Sequence, residues 1–290
     1  MAEPKLQTLP LPTPKVHRSS RKANAYLWSG GIMIALVAFS ALLAPFLSNI
    51  HPNTMDPIHH LLPIGTPGHI LGTDQLGRDM YTRLLYGGRV TVVAGLAASL
   101  LSTVAGVFLG LVSGYTKGWL DTLIMRGLDI LMGFPFILLA ILIVAFAGPS
   151  TLHALLAISV ANLPFFARII RSETLKVRSL EFINAAESLG ASHLRIILRH
   201  IVPSLIPYIL STFFMNVGWM ITQTSSLSFL GLGTQPPTAD WGSMLAEAQN
   251  YMILNPLVAM LPGLAIVFAI VGFNLFGVGL KRYLDIHNPR

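Results

Sequence analysis

The chain has 290 residues, 53% of them hydrophobic and only 11% charged, with a mean hydropathy of +0.66 and a formal net charge of +7. That balance lies outside the range of a soluble domain and reads as an all-α integral membrane protein. Cysteine is absent, which excludes a disulfide framework and thiolate metal ligation, and no basic stripe interleaved with aromatics points to nucleic acid.

Residues 1–26 are polar and proline-rich, with Lys5, Lys15, Arg18, Arg21 and Lys22, and read as a disordered tail. Residues 27–47 carry no charge; the run can span a hydrocarbon core of about 30 Å and exceeds the signal-peptide apolar region of about 7 to 15 residues. It reads as a retained first span. Ala38-Phe39-Ser40 has the small-x-small form of a cleavage site but lies inside the apolar run, so cleavage is the lesser reading.

Residues 48–89 form a polar loop. Within it, Gly72 and Gly77 permit turns, Thr73 lies between them, and Asp74, Arg78 and Asp79 read as a local ion-pair cluster at the entry of the second span. Two carboxylates five residues apart invite an acid/base reading, but no nucleophile, base or metal set accompanies them. His51, His59, His60 and His69 share the loop; hydrated histidines are the favoured reading and a transition-metal site the lesser one.

The second charge-free span covers residues 90–112, and Gly106, Gly110 and Gly114 form a small-xxx-small stripe suited to close helix packing within the chain. Residues 130–167 lack Asp, Glu, Lys and Arg; they are too long for one helix and divide at Gly148-Pro149-Ser150, with Pro135 and Pro164 expected to kink the two spans. The fifth span is expected to end near Thr222 and the sixth to cover 256–280, leaving 281–290 as a tail. Asn216 and Asn274 lie within these spans, where interhelical hydrogen bonding is favoured over lining a path.

Between the fourth and fifth spans, residues 180–203 are polar but periodic. Phe182, Ala185, Ala186 and Leu189 recur at helical spacing, and Leu194, Ile197, Leu198 and Ile201 repeat it after Gly190, which suits a left-handed helix end. Ser192 is placed to cap the second helix and Pro203 to end it, with Arg195 and Arg199 turned away from its apolar stripe. The pattern predicts a docking hairpin. Six spans put both termini on one side, and with that side cytosolic every Lys and Arg except Arg78, Arg83 and Arg89 lies inside, as the positive-inside rule requires.

Asn184-Ala185-Ala186-Glu187, Gly190 and Pro203 resemble the EAA loop of ABC importer permeases, with Asn184, His200 and Val202 departing from the family's Glu, Ile and Leu. Leu71-Gly72-Thr73-Asp74-Gln75-Leu76-Gly77-Arg78-Asp79 is similar to a signature of the dipeptide, oligopeptide and nickel branch. So is the stretch from Leu227 to Gly242, with Gly231, Gly233, Pro236, Pro237 and Trp241, although Thr224 stands where many relatives have Glu. Gly231 and Gly233 allow irregular backbone, and residues 241–251 are expected to lie as a helix at the outer interface, anchored by Trp241 and Tyr251.

The resemblance implies a type I ABC importer permease of the bacterial inner membrane, with six transmembrane helices and a permease core over residues 90–280. It also implies that Asn184, Ala185, Ala186, Glu187, Gly190, Arg195, Arg199 and Pro203 belong to a loop that couples to a cytosolic ATPase. Its implied partners are a homologous second permease, two ATPases carrying ATP and Mg, and an external solute-binding protein, in contact with lipid. No Gly-x-x-x-x-Gly-Lys-Ser/Thr occurs, so the chain is expected to bind no cofactor and to be no ATPase of that kind. Peptides are the favoured cargo and nickel or metal chelates the alternative; an ATP-independent channel or secondary transporter is a more distant one, and no intramembrane carboxylates suggest an enzyme.

Overall fold

A computed structural model describes residues 16–287, and among these every named element is helical. In chain order they are α1 (Val16–Leu42), α2 (Ala44–Leu47), α3 (Met80–Thr116), α4 (Gly118–Met132), α5 (Phe136–Ala147), α6 (Thr151–Arg178), α7 (Glu181–Ser188), α8 (His193–Ile196), α9 (Val202–Phe229), α10 (Trp241–Ala248) and α11 (Leu257–His287). Short 3-10 turns occur at Pro57–His59 and Gln249–Tyr251, and a π-helical turn at Ile197–Ile201. Five helices are long and apolar enough to cross a membrane, and a sixth span results if α4 and α5 are taken together.

Several boundaries differ from the sequence reading. Helix α1 begins at Val16, so residues 16–26 are helical; the rest of the expected tail, 1–15, lies outside the described residues. Likewise α11 continues to His287, leaving only 288–290 of the expected last tail outside them. The second span starts ten residues early, at Met80, because the Asp79 side chain caps the helix by accepting from the Thr82 N–H (2.8 Å). At 37 residues, α3 is about 55 Å long and outruns the hydrocarbon layer of about 30 Å. The region around Pro135 is a break and not a kink: α4 and α5 meet at 87°. A residue preceding proline is pushed out of the helical region, which stops α4 there.

Helix α3 is the axis of the bundle. Gly106, Gly110 and Gly114 face α6 so closely that a Cβ on Gly110 would lie 2.6 Å from the Ala167 carbonyl oxygen and 2.8 Å from Ile170 Cβ. In lipid there is no hydrophobic drive between helices, so this backbone-to-backbone contact gains dispersion energy that bulkier residues would forfeit. Higher on α3, Gly95 meets Ile221 of α9 in the same way, while α1 and α11 pack together through Gly30, Gly272 and Gly279.

Replacing Gly110 with Leu is expected to destabilise the folded chain by about 1–3 kcal/mol through overpacking of α3 on α6. Thermal unfolding of the detergent-solubilised protein, followed by circular dichroism, checks this. An unchanged midpoint would rule out the close-packed stripe.

Candidate functional site

Three places concentrate the polar chemistry of this apolar chain. The first is the hairpin of residues 180–203. Gly190 adopts φ +79, the left-handed turn its position demands, and the Ser192 hydroxyl accepts from the Arg195 N–H at 3.4 Å. The hairpin is held to its own chain by Ile183 and Ile196, which lie beside the apolar stripes, and by Ile201, the last residue of the second stripe; all three are buried. Phe182 is 48% exposed and Leu189 88%; Leu194 and Leu198 are likewise open to solvent. Asn184, Ala185, Glu187, Arg195, Arg199 and Pro203 are exposed and Ala186 partly so, giving the hairpin an uncovered apolar face edged with charge.

Pro203 does not end the second helix. From His193 the helix passes through the π-turn into α9 without interruption, and the Val202 N–H reaches back five residues to Ile197 O. Widening the turn relieves the proline, whose ring and missing N–H oppose ordinary α geometry. The hairpin's second arm and the fifth span are therefore one continuous helix.

The second place is a groove of about 550 Å³ among the end of α4 and α5, α6, α9 and α11. Phe136, Phe165 and Trp219 give it aromatic walls, Asn162, Asn216 and Asn274 give it amides, and no described lining residue carries a formal charge. Asn216 donates to Ser99 Oγ (3.2 Å), and Asn162 donates to Asn216 Oδ1 (3.3 Å) and Ser102 Oγ (3.2 Å), so this network joins α3, α6 and α9. Asn274 instead donates to Ile270 O within α11. Thr224 also bonds within its own helix, to Met220 O.

The third place is a buried charge network around residues 74–83. Asp74 Oδ1 accepts from the Leu76 and Arg78 N–H groups, each at 2.9 Å, while Oδ2 takes the Arg78 Nε at 2.6 Å and lies 3.5 Å from Arg83 Nε. Glu247 on α10 accepts from Arg78, from Gln75 Nε2 (3.2 Å) and from Arg83 Nη2 (3.4 Å). The guanidinium of Arg83 also donates to the Pro52 and Pro237 carbonyls. Both arginines are at most 1% exposed. Asp79 is not part of this cluster: it caps α3 and receives His69 Nδ1 at 2.9 Å.

Around the network, Gly72 and Gly77 are both at φ +75, and Thr73 Oγ1 bridges the Leu62 N–H and the His59 carbonyl. The other loop histidines have separate partners: His59 bonds Asp56, whose carboxyl it holds below the usual range, His60 bonds Pro57 O, and His51 accepts from Asn53 N–H. Among the described residues no three His, Cys, Asp or Glu side chains gather as a metal site would require.

Trp241 is not a membrane-interface anchor. It is buried over Gly87 and Gly88, donates its Nε1–H to Leu84 O (2.9 Å), and so clamps α10 to α3. Asp240 caps α10 through the Ser243 N–H and accepts from Thr91 Oγ1 (2.6 Å); burial pushes its carboxyl upward against these bonds. Gly242 packs on the Ser225 backbone, Gly233 on Ser228, Gly231 turns at φ +76, and Pro236 and Pro237 are joined by a cis peptide at the exposed rim. Glu247 was not singled out from sequence, yet it and Asp240 are the only formal charges between residues 200 and 280. Acids isolated in so apolar a run were the available signal.

A bundle of membrane-length helices enclosing an uncharged groove, with a polar hairpin extending one span, is the build of a multi-pass transport subunit. Residues 106–287 match the family described as binding-protein-dependent transport system inner membrane component. The chain is 40% identical over 257 residues to the glutathione transport system permease protein GsiD of Pectobacterium atrosepticum, covering 89% of this chain and 85% of that one. It is 38% identical over 264 residues to the dipeptide transport system permease protein DppC of Alkalihalophilus pseudofirmus, covering 91% and 86%. Its fold is like that of the MetNI methionine ABC transporter in an inward-facing form, at a TM-score of 0.61 and 17% identity over 71% of this chain and 97% of that one. The chain belongs to the binding-protein-dependent inner-membrane permease family: it is a multi-pass permease subunit of an ABC importer, a class that works with ATP-hydrolysing and substrate-binding partners.

Asp74→Ala is expected to cost about 3–5 kcal/mol, since it leaves Arg78 and Arg83 buried with Glu247 as their one remaining carboxylate. Thermal unfolding of the purified variant measures this, and a stability loss below about 1 kcal/mol would exclude a structural role for the network.

Proposed function

We propose that this chain carries peptides inward across the bacterial inner membrane, alternating its access under the drive of ATP hydrolysed elsewhere. The observation that carries this reading is the hairpin, which presents uncovered Phe182, Leu189, Leu194 and Leu198 yet is continuous with α9. An unpartnered apolar face at the tip of a rigid spanning helix suits a docking element, and the resemblance to the EAA loop supports an ATPase as its partner. Two such ATPases hold ATP and Mg, a homologous permease closes the groove into a path, and an external binding protein delivers the cargo.

Both termini lie in the cytosol, as the distribution of Lys and Arg supports. The hairpin then faces the cytosol, and the Asp74–Arg78–Arg83–Glu247 network seals the outer end. Reversing the population of two states from 1:99 to 99:1 takes about 5.5 kcal/mol of differential interaction, which a loosely hinged loop would dissipate. The unbroken helix through Pro203 avoids that loss. The uncharged, aromatic-walled groove suits cargo taken without regard to side-chain charge. The names of the relatives, for dipeptide and glutathione transport, support the same class.

Ala186→Glu and Gly190→Pro are expected to leave membrane insertion intact and to abolish uptake, the first by placing a charge on the docking face and the second because Gly190 sits at φ +79, which proline cannot adopt. Normal transport by either variant would overturn the coupling role. For the cargo, uptake of labelled dipeptide, glutathione and nickel is compared in cells with and without the chain; loss confined to nickel would replace the peptide reading with the metal one.

A further inference from the structure

We infer that Tyr115, Arg178 and His193 form a joint that locks the hairpin to the inner ends of α3 and α6, so that all three move as one body. This rests on the reading of the hairpin as the coupling element, and it adds the residues through which motion reaches spans other than α9.

Tyr115 ends the long helix α3 and is almost wholly buried. Its hydroxyl is 2.7 Å from His193 Nδ1, the two rings meeting edge to face with centroids 5.7 Å apart. Arg178, at the end of α6, donates to the Tyr115 carbonyl oxygen and places its Cζ 4.9 Å from the Tyr115 ring centroid. A carbonyl in the last turn of a helix has no partner within the helix, so the guanidinium both caps α3 and complements its dipole. One tyrosine thus joins α3, α6 and the start of α8.

The surroundings reinforce the joint. Ile170 and Val177 of α6, Ile183 of α7, Ile196 of α8 and Leu205 of α9 are buried in one cluster with Tyr115. Beside it, Arg171 holds Asp121 through Nε (2.7 Å) and Nη2 (2.6 Å), which fixes the start of α4 against α6. Apolar contacts alone are non-directional and permit sliding; the hydroxyl–imidazole bond and the guanidinium cap set the angle. Tyr115, Arg178 and His193 are positioning residues, acting through the hairpin.

The chain has no cysteine, so a spin-label pair can be added without other changes. Ser172→Cys on α6 and Ser188→Cys on α7, both exposed in the native chain, report their separation by double electron–electron resonance in the complete transporter reconstituted in lipid. With the native joint, the distance distribution is expected to be narrow and the same with and without ATP plus vanadate. Tyr115→Phe keeps the ring and the cap but loses the hydroxyl; His193→Ala loses the imidazole that bonds it. Each is expected to broaden the distribution and to lower peptide uptake per ATP hydrolysed about fivefold, the worth of one hydrogen bond. His193→Gln, whose amide can donate or accept, restores both readings, and the double variant of Tyr115→Phe with His193→Ala is no worse than either single one.

A narrow distribution in Tyr115→Phe, broadening without loss of uptake, or additive losses in the double variant would each overturn the joint. Ala186→Glu in the same labelled background separates this from failure of the docking reading. It is expected to lose the ATPase on purification while keeping the narrow distance; if it retains the ATPase and transports normally, the docking reading fails whatever Tyr115 does.

Discussion

The constraint on which the rest depends is the close approach of α3 and α6 along Gly106, Gly110 and Gly114. In a bilayer, lipid tails solvate apolar side chains as well as another helix does, so the helices associate by fit. Removing side chains from one face of α3 lets the Ala167 and Arg171 backbone settle into it. Once α6 is seated there, its far end carries Arg178 to the last turn of α3 and its middle carries Asn162 to Asn216. The hairpin, the groove and the contacts around Tyr115 all take their positions from this contact.

The end of the bundle around residues 74–83 is secured by a different kind of force. Arg78 and Arg83 are removed from water, which is costly for a guanidinium unless carboxylates and carbonyls replace its hydration. Asp74, Glu247 and the Pro52 and Pro237 carbonyls do so, drawing residues far apart in sequence to one point beside the Trp241 clamp. A network of this type is intolerant of partial assembly, since each missing member strands a buried charge. It therefore defines how the start of α3 meets α10 more sharply than apolar packing would.

Between these ends the groove is uncharged, and its amides bond to one another, to Ser99 and Ser102, and to the Ile270 carbonyl. That division suits an importer permease: rigid, specific contacts at the two ends and an undemanding surface between them. The hairpin follows the same logic, with Ile183, Ile196 and Ile201 turned inward for attachment and Phe182, Leu189, Leu194 and Leu198 left open.

Composition and periodicity alone determined that this is a helical membrane protein, where its apolar runs lie, that Gly190 turns left-handed and Ser192 caps, and that a glycine stripe lies on α3. These are local properties, set by side-chain hydropathy and backbone preference within a few residues. The recognisable motifs carried the family. Tertiary structure alone decided that α3 begins at Met80 with Arg83 inside it, because a charge marks a helix end in sequence unless a distant Glu247 neutralises it. It decided too that α4 and α5 meet at 87°, that Trp241 is buried on Gly87 and Gly88, and that the helix runs through Pro203 by way of a π-turn. The joining of Tyr115, Arg178 and His193 belongs with these, since its three members come from separate helices. The Arg83–Glu247 pair, the seating of Trp241 and the Tyr115 contacts depend on partners brought together by folding, and no spacing along the chain records them.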